Sequence, residues 1–126
     1  MIYLDTHAVL LLYDKLLGKI PQKTVEAIEQ ADDLRISPIV LLELQYIREI
    51  QRIRYAPKIV VDFLARAINL SVCNLPFSDV VAAATELGWT RDPFDRLVVG
   101  HALAQGAELV TKDRLIRENH KQTIWD

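Results

Sequence analysis

The sequence predicts an α/β domain in which a parallel sheet carries helices on both faces. Short apolar runs of strand-forming residues recur along the chain, and longer helical segments lie between them. Strong helix-start signals separate several of these segments, such as Ser37-Pro38 and Asp92-Pro93. This alternation of strands and helices is typical of a parallel sheet, because each parallel connection needs a crossover.

The predicted elements follow from local patterns. The predicted strands are 2–4, 34–36, 70–75, 108–111 and 123–125. The predicted helices are 7–17, 21–31, 38–54, 57–69, 78–87, 93–106 and a short helix after 114. Asp92 is a good N-cap, and Pro93 suits the first helical position, where a missing N–H costs nothing. Gly18, Gly88 and Gly106 are expected to end helices, and Ser78-Asp79 to cap one.

Composition predicts one globular domain over residues 1–126. Apolar residues make up 51% and charged residues 25%, which excludes a disordered chain. The net charge is −2, so any surface that binds nucleic acid must be local. The one cysteine, Cys73, cannot form an internal disulfide, and no signal peptide or membrane span is visible. We therefore expect a cytoplasmic protein without a membrane partner.

Acidic residues are predicted to meet at one edge of the sheet. Asp5 follows the first strand and Asp113 follows the strand at 108–111, while Asp92 and Asp95 occupy the start of a helix. In open parallel sheets, the carboxyl ends of the strands and the helix starts lie on the same edge, where ligands bind. For Asp92 and Asp95 alone, a capping pair is an equally good explanation.

Glu43 adds a fifth acid. Its helical neighbours, Ile39, Val40, Tyr46 and Ile47, are largely apolar, and a lone carboxylate on such a face is costly unless it is paired or binds a metal. Taken alone, a carboxylate at this position is more often explained in one of two ways: it pairs with an arginine, or its side chain reaches solvent. Beside the other acids, a metal site becomes the better interpretation.

Crowded carboxylates repel one another, and a hard divalent ion relieves that repulsion. Mg²⁺ or Mn²⁺ suits carboxylate and water ligands, whereas the single cysteine and scattered histidines offer no zinc spacing. His7 and His101 are expected to be helix residues near the site rather than ligands. Such a site suits phosphodiester hydrolysis. The candidate cations for a polynucleotide backbone are Arg96, Lys112, Arg114 and Arg117.

The chain resembles the PIN-domain family and, within it, the VapC-type toxins of toxin–antitoxin pairs. The matching pieces are Leu4-Asp5-Thr6-His7, Glu43 in a helix that begins with Ser-Pro, Asp92-Pro93-Phe94-Asp95-Arg96-Leu97 and Val110-Thr111-Lys112-Asp113-Arg114. The resemblance covers nearly the whole chain, with the pieces in the right order. The Asp-Pro-Phe-Asp-Arg segment and the later Thr-x-Asp turn are its most specific parts.

The resemblance implies a three-layer α/β/α sandwich and a Mg²⁺- or Mn²⁺-dependent endoribonuclease. The family's acidic cluster corresponds to Asp5, Glu43, Asp95 and Asp113, with Asp92 as an accessory acid. Thr6 and Thr111 correspond to hydroxyls that orient the carboxylates or water. The implied partners are RNA, a small antitoxin and a second copy of this chain. The segment 47–54 is open to three interpretations: an antitoxin groove, a dimer surface or a plain amphipathic helix.

Two other functions are weighed against this prediction. A non-catalytic PIN fold that binds RNA or protein would not need the complete acid set. A phosphoacceptor receiver domain needs an acidic pair after the first strand and a Lys-Pro after the last, and this chain has neither.

Overall fold

The computed structural model describes all residues, 1–126, and contains one five-stranded sheet. The strands are β1 (Ile2–Leu4), β2 (Leu34–Ile36), β3 (Leu70–Val72), β4 (Glu108–Val110) and β5 (Thr123–Ile124). The helices are α1 (Thr6–Tyr13), α2 (Gln22–Gln30), α3 (Pro38–Glu49), α4 (Pro57–Ile68), α5 (Phe77–Thr85), α6 (Pro93–Gln105) and α7 (Arg114–Asn119). A 3₁₀ turn, Leu17–Lys19, lies between α1 and α2. No helix is both long enough and apolar enough to span a bilayer.

The sheet is entirely parallel, with the strand order β3-β2-β1-β4-β5. The chain moves outward from β1 through β2 to β3 and then crosses to β4 and β5 on the other side. Right-handed crossovers in these opposite directions place helices on both faces of the sheet. The predicted α/β/α sandwich is therefore confirmed, and the point where the strand order reverses lies between β1 and β4.

The central strands form the core that holds this reversal point rigid. Side chains of β1 and β4 such as Leu4, Leu109 and Val110 are fully buried. The amide of Asp5 donates to the carbonyl of Val110 at 3.1 Å, so the ends of β1 and β4 are joined directly. Burial of each of these side chains contributes about 1.5–3 kcal/mol to the stability of the folded state. The ends of both strands, and the residues that follow them, are therefore held in place.

Helix α6 has the ends that its sequence predicts. The Asp92 carboxylate accepts from the amides of Phe94 at 2.8 Å and Asp95 at 3.3 Å. Gly106 ends the helix in the left-handed conformation, with a φ of 62°. At Gly100, an added Cβ would lie 3.1 Å from the Cβ of Ala84, so the missing side chain allows α5 and α6 to pack closely. These features hold Asp95 at a fixed position.

Several predicted boundaries were wrong. Helix α1 ends at Tyr13 instead of Leu17, because Lys15 takes a positive φ, and Gly18 lies inside the 3₁₀ turn. Helix α3 ends at Glu49 instead of about Arg54, because Gln51 also has a positive φ and turns the chain toward α4.

Two further boundaries differ near β3. Strand β3 ends at Val72 instead of Leu75, although the amide of Cys73 still donates to the carbonyl of Ile36. Helix α5 begins at Phe77 and ends at Thr85, with Pro76 instead of Ser78 at the capping position. The carbonyl of Pro76 accepts the first amide bonds of this helix, so no serine cap is needed.

Candidate functional site

Five carboxylates line one small pocket at the reversal point of the sheet. The pocket has a volume of about 210 Å³, and its acidic side chains are Asp5, Glu43, Asp92, Asp95 and Asp113. Thr6 and His7 also line it, and Val98 and Ile116 form an apolar wall. The acids that the sequence predicts to converge therefore do lie together. We call this cavity the acidic pocket.

Three of the acids are held by backbone amides at helix starts. Asp5 caps α1 and accepts from the Ala8 amide at 2.8 Å. Asp113 caps α7 and accepts from the Ile116 amide at 3.0 Å, while Asp92 caps α6. Because a side chain that caps a helix is fixed by that bond, each of these carboxylates has a defined direction before any ligand binds.

The two predicted hydroxyls lie beside the acids. Thr6 donates a hydrogen bond to the Glu43 carboxylate and so links α1 to α3. Thr111 accepts from the amide of Asp113 at 3.1 Å and also contributes a hydrogen bond that favours the charged form of Asp5. Both hydroxyls are buried, so their bonds are protected from water. The two threonines therefore orient carboxylates on opposite sides of the acidic pocket.

No lysine or arginine forms an ion pair with these acids, and the one basic side chain in the pocket wall is His7, whose charge offsets part of the effect of burial on the pKa of Asp5 and of Glu43. The ion pairs of the structure are Arg35–Asp33, Lys58–Asp62 and Arg114–Glu118, and none of them involves the acidic pocket. The explanation of Glu43 as the partner of an arginine is therefore wrong. The half-buried Glu43 carboxylate instead accepts from Thr6 and faces the other acids.

Burial and mutual repulsion raise the carboxylate pKa values. Burial raises the pKa of Asp5, and hydrogen bonds from Thr111 and Ala8 offset part of that effect. Burial also raises the pKa of Glu43. Burial, followed by the charges of Asp92, Asp113, Glu43 and Asp5, raises the pKa of Asp95 to about 7. Asp95 therefore senses every other acid of the pocket, which makes it the electrostatic centre of the group.

The pocket fits a hard divalent cation that keeps part of its water shell. All charged donors are carboxylate oxygens, which Mg²⁺ and Mn²⁺ prefer. No group of three His, Cys, Asp or Glu side chains lies close enough together to hold one ion directly. Mg²⁺ commonly uses only one or two carboxylates and several waters. The acidic pocket therefore suits an ion held directly by no more than two of its acids, with the other contacts made through water.

The predicted histidines occupy different places. His7 is exposed and lies in the wall of the acidic pocket. His101 is buried away from it, where its Nδ1 pairs with the Ser37 hydroxyl at 2.7 Å and its ring stacks on Tyr3. Burial lowers the pKa of His101. The expectation that His101 lies near the site was wrong, because its position on α6 directs it toward Ser37 at the start of α3.

None of the candidate cations lines the acidic pocket. Arg96 donates to the carbonyl of Thr90 at 2.8 Å, and Arg114 pairs with Glu118 at 2.8 Å. Lys112 borders a neighbouring cavity together with His7, and Arg117 is exposed on α7. A role for Arg96 and Arg114 in substrate binding stays a prediction.

Sequence reasoning missed two aromatic residues at the rim of the pocket. Tyr46 lies on α3, three residues after Glu43, and is 52% exposed. Phe94 directly precedes Asp95, and the centroids of the two rings are 6.3 Å apart. The position of Tyr46 was a usable signal, since residues three apart on a helix share a face, whereas the contact between Tyr46 and Phe94 depends on how α3 and α6 pack.

The pH dependence of stability tests the electrostatics of Asp95. Its folded pKa of about 7 exceeds the value of 3.8 for the free side chain, so the folded state binds more protons between these values. In EDTA, we expect the melting temperature to fall by about 3–5 °C from pH 6 to pH 8. Asp95→Asn should flatten this slope, as measured by thermal unfolding. A slope that is equal in both proteins would contradict the electrostatic account.

Comparison with known proteins finds a matching family, a related ribonuclease and similar solved structures. The family model of the PIN domain matches residues 2–121. Ribonuclease VapC22 of Mycobacterium tuberculosis is 32% identical over an alignment of 104 positions, and the match covers 79% of this chain and 80% of that protein. A chain in the crystal structure of VapBC2 from Rickettsia felis, bound to a DNA fragment from its promoter, has a TM-score of 0.68 and 27% identity, with 100% of both chains covered.

A second solved structure supports the fold alone. A chain of DNA-bound VapBC from Salmonella typhimurium has a TM-score of 0.62 and 24% identity, and the match covers 92% of this chain and 89% of that chain. The family model spans β1 through β4, including the strands that precede Asp5 and Asp113, and ends before β5.

Proposed function

Since the chain belongs to the PIN-domain family, we propose that it is a divalent-metal-dependent endoribonuclease, folded as one PIN domain over residues 1–126, and the toxin of a toxin–antitoxin pair. The observation that carries this proposal is the group of five carboxylates in one pocket with no lysine or arginine paired to them. Similarity to a ribonuclease over most of both chains supports RNA as the substrate.

In this proposal, Asp5, Glu43, Asp95 and Asp113 hold Mg²⁺ or Mn²⁺. Bound there, such an ion would lower the pKa of a water and would neutralise charge that develops on the phosphate, and the role of the four acids is to hold and orient it. Asp92 fixes the start of α6 and adds negative charge beside Asp95. Its own contacts with the amides of α6 suit an accessory role.

The remaining residues orient the acids or exclude water. Thr6 holds Glu43 through its hydroxyl, and Thr111 holds the turn that carries Asp113. Val98 and Ile116 form an apolar wall, which lowers the local dielectric and strengthens the interaction of the acids with a cation. Arg96 and Arg114 use only Nε in their hydrogen bonds to Thr90 and Glu118, so their Nη groups are available to contact the RNA backbone.

We further propose that an antitoxin binds the chain, together with a second copy of the chain. A groove of about 630 Å³ between α3 and α4 supports a polypeptide partner. Leu41, Leu42 and Val61 give it an apolar floor, and Arg48 and Lys58 lie at its edge. Leu42 is 57% exposed and adjoins Leu41 and Val61, and a contiguous apolar surface is typical of a protein interaction site. The product of a small reading frame next to the gene is the first partner to test.

RNA cleavage with and without a divalent ion tests the enzymatic proposal. We expect the purified chain to cut cellular RNA at internal sites in Mg²⁺ or Mn²⁺ and to lose this activity in excess EDTA, because the acids alone cannot activate water. Gel analysis of the RNA products measures the cleavage with the divalent ion and its loss in EDTA. RNA that binds without being cut would favour the non-catalytic alternative, and equal cleavage in EDTA would exclude metal dependence.

A further inference from the structure

A second cavity opens directly beside the acidic pocket. It has a volume of about 460 Å³ and shares His7 and Glu43 with the acidic pocket as lining residues. Its other lining residues are Leu10, Tyr46, Ile47, Ile50, Arg52 and Ile53. A polymer bound at the acids therefore extends next to this space. We call it the side cavity.

The side cavity presents an aromatic face at the junction with the acids. Tyr46 is 52% exposed, and its hydroxyl makes no hydrogen bond in the structure. Its ring lies against Phe94, with an angle of 35° between the two ring planes. Since Phe94 precedes Asp95 and Tyr46 follows Glu43 by one helical turn, the two rings span the gap between α3 and α6. Phe94 is half-buried and supports the exposed ring of Tyr46, which is available to a flat ligand.

The side cavity also contains a cation that no acid of the chain neutralises. Arg52 is exposed and takes part in none of the ion pairs of the structure. The rest of the wall is aliphatic, with Leu10, Ile47 and Ile53 partly buried or packed around it. The cavity therefore combines an aromatic face, an apolar floor and a free guanidinium.

We propose that the side cavity binds the base of the nucleotide next to the scissile phosphate, with Tyr46 as the stacking surface and Arg52 as the hydrogen-bond donor. This inference depends on the proposed ribonuclease function. Single-stranded RNA is recognised mainly by bases that leave the stack and rest on aromatic or guanidinium planes. A base has a flat face and a polar edge, which match Tyr46 and Arg52, and the walls shared with the acidic pocket bring it beside the reacting phosphate.

A base is a better occupant than a polypeptide segment. The groove between α3 and α4 is larger than the side cavity, so it offers a protein partner the greater burial. The side cavity has Glu43 in its wall, and its occupant must coexist with a substrate at the acids. A nucleotide of the same RNA strand satisfies that condition through its covalent connection.

Variants of Tyr46 test this proposal. A short single-stranded RNA with one mapped cleavage site is compared with copies that carry an abasic residue on either side of that site. We expect Tyr46→Ala to lower kcat/KM about 10–100-fold, the size of the loss of one base stack. It should also flatten the base preference at one flanking position. Tyr46→Phe keeps the ring and should keep most of the activity.

Controls separate stacking from indirect effects. Phe77 is an aromatic residue with 64% exposure that borders a different cavity, so Phe77→Ala should leave cleavage unchanged. The abasic residue at the affected position should slow the wild-type protein by a similar factor and should not slow Tyr46→Ala further. Thermal unfolding of each variant verifies that the exposed ring was not needed for folding.

The outcomes for the side cavity and for the proposed function are distinguishable. If the wild type cleaves RNA and Tyr46→Ala retains its rate and base preference, the base-binding proposal is overturned while the nuclease stands. If the wild type cleaves no RNA, fluorescence anisotropy with the same oligonucleotides decides: weaker binding by Tyr46→Ala than by Phe77→Ala supports the base site, and equal binding overturns it. Loss of antitoxin binding by Tyr46→Ala, with RNA parameters unchanged, also overturns it.

Discussion

Asp5→Asn is expected to lower the rate of RNA cleavage at least about 1,000-fold, the scale on which loss of a group that stabilises the transition state is felt. Asparagine caps a helix as well as aspartate does, so α1 and the bond to the Ala8 amide should be retained. The change therefore removes a charge from the acidic pocket without removing the fold. Single-turnover cleavage of the mapped RNA, with the variant in excess Mg²⁺, measures the effect.

A matched control for Asp5→Asn is available in α5. Asp79 is exposed in the first turn of that helix and lies outside the acidic pocket, so Asp79→Asn should cleave at the wild-type rate. If Asp5→Asn cleaves within about 3-fold of the control, Asp5 has no part in the reaction. A contaminating RNase in both preparations would also make the two cleavage rates equal. The double variant Asp5→Asn/Asp95→Asn detects such a contaminant, because any cleavage by its preparation comes from another enzyme.

Mg²⁺ or Mn²⁺ is expected to raise the melting temperature by about 10 °C at 100 times the dissociation constant. A ligand that binds only the folded state at this excess contributes about 2.7 kcal/mol, and about 4 °C per kcal/mol is typical of a domain of this size. Asp95→Asn should shrink this rise. In EDTA the same variant should melt above the wild type, because the carboxylate that is repelled by four others is gone.

The order of the two melting temperatures should therefore reverse when the ion is added. This reversal distinguishes a metal site from a general loss of stability, which would lower the melting temperature of Asp95→Asn in both buffers. Differential scanning fluorimetry over a range of Mn²⁺ concentrations measures it, with Asp79→Asn as the control. An undiminished rise in Asp95→Asn would count against Asp95 as a ligand.

The parts of the fold with local sequence signals were predicted closely. Helix α6 has its cap, its proline and its final glycine within the helix or beside it, so its limits follow from the sequence. The end of α3, in contrast, could not be predicted from the sequence. Its amphipathic pattern continues to about Arg54, but the chain leaves the helix at Gln51, and Tyr55 then packs against Tyr13 of α1 with the ring centroids 4.7 Å apart. That contact joins distant residues and leaves no local signal.

The site likewise has features that the sequence predicts and features that it does not. The acids that follow β1 and β4 were predictable because the topology of a parallel sheet sets which edge they occupy. The bond between Thr6 and Glu43 joins α1 to α3 and depends on helix packing, so the sequence could not specify it. The pairing of Arg114 with Glu118 follows the four-residue spacing of a helix and was open to prediction. The contact of Arg96 with the Thr90 carbonyl was not, since it depends on the loop before α6.

The most direct test of the acidic pocket is Mn²⁺ binding itself, followed by the loss of the free-ion signal in electron paramagnetic resonance. The account predicts saturable binding of one or two ions per wild-type chain, and binding at least about 10-fold weaker in Asp95→Asn. Non-saturable binding in the wild-type protein, or the same affinity in both proteins, would contradict the claim that these carboxylates assemble to hold a metal ion.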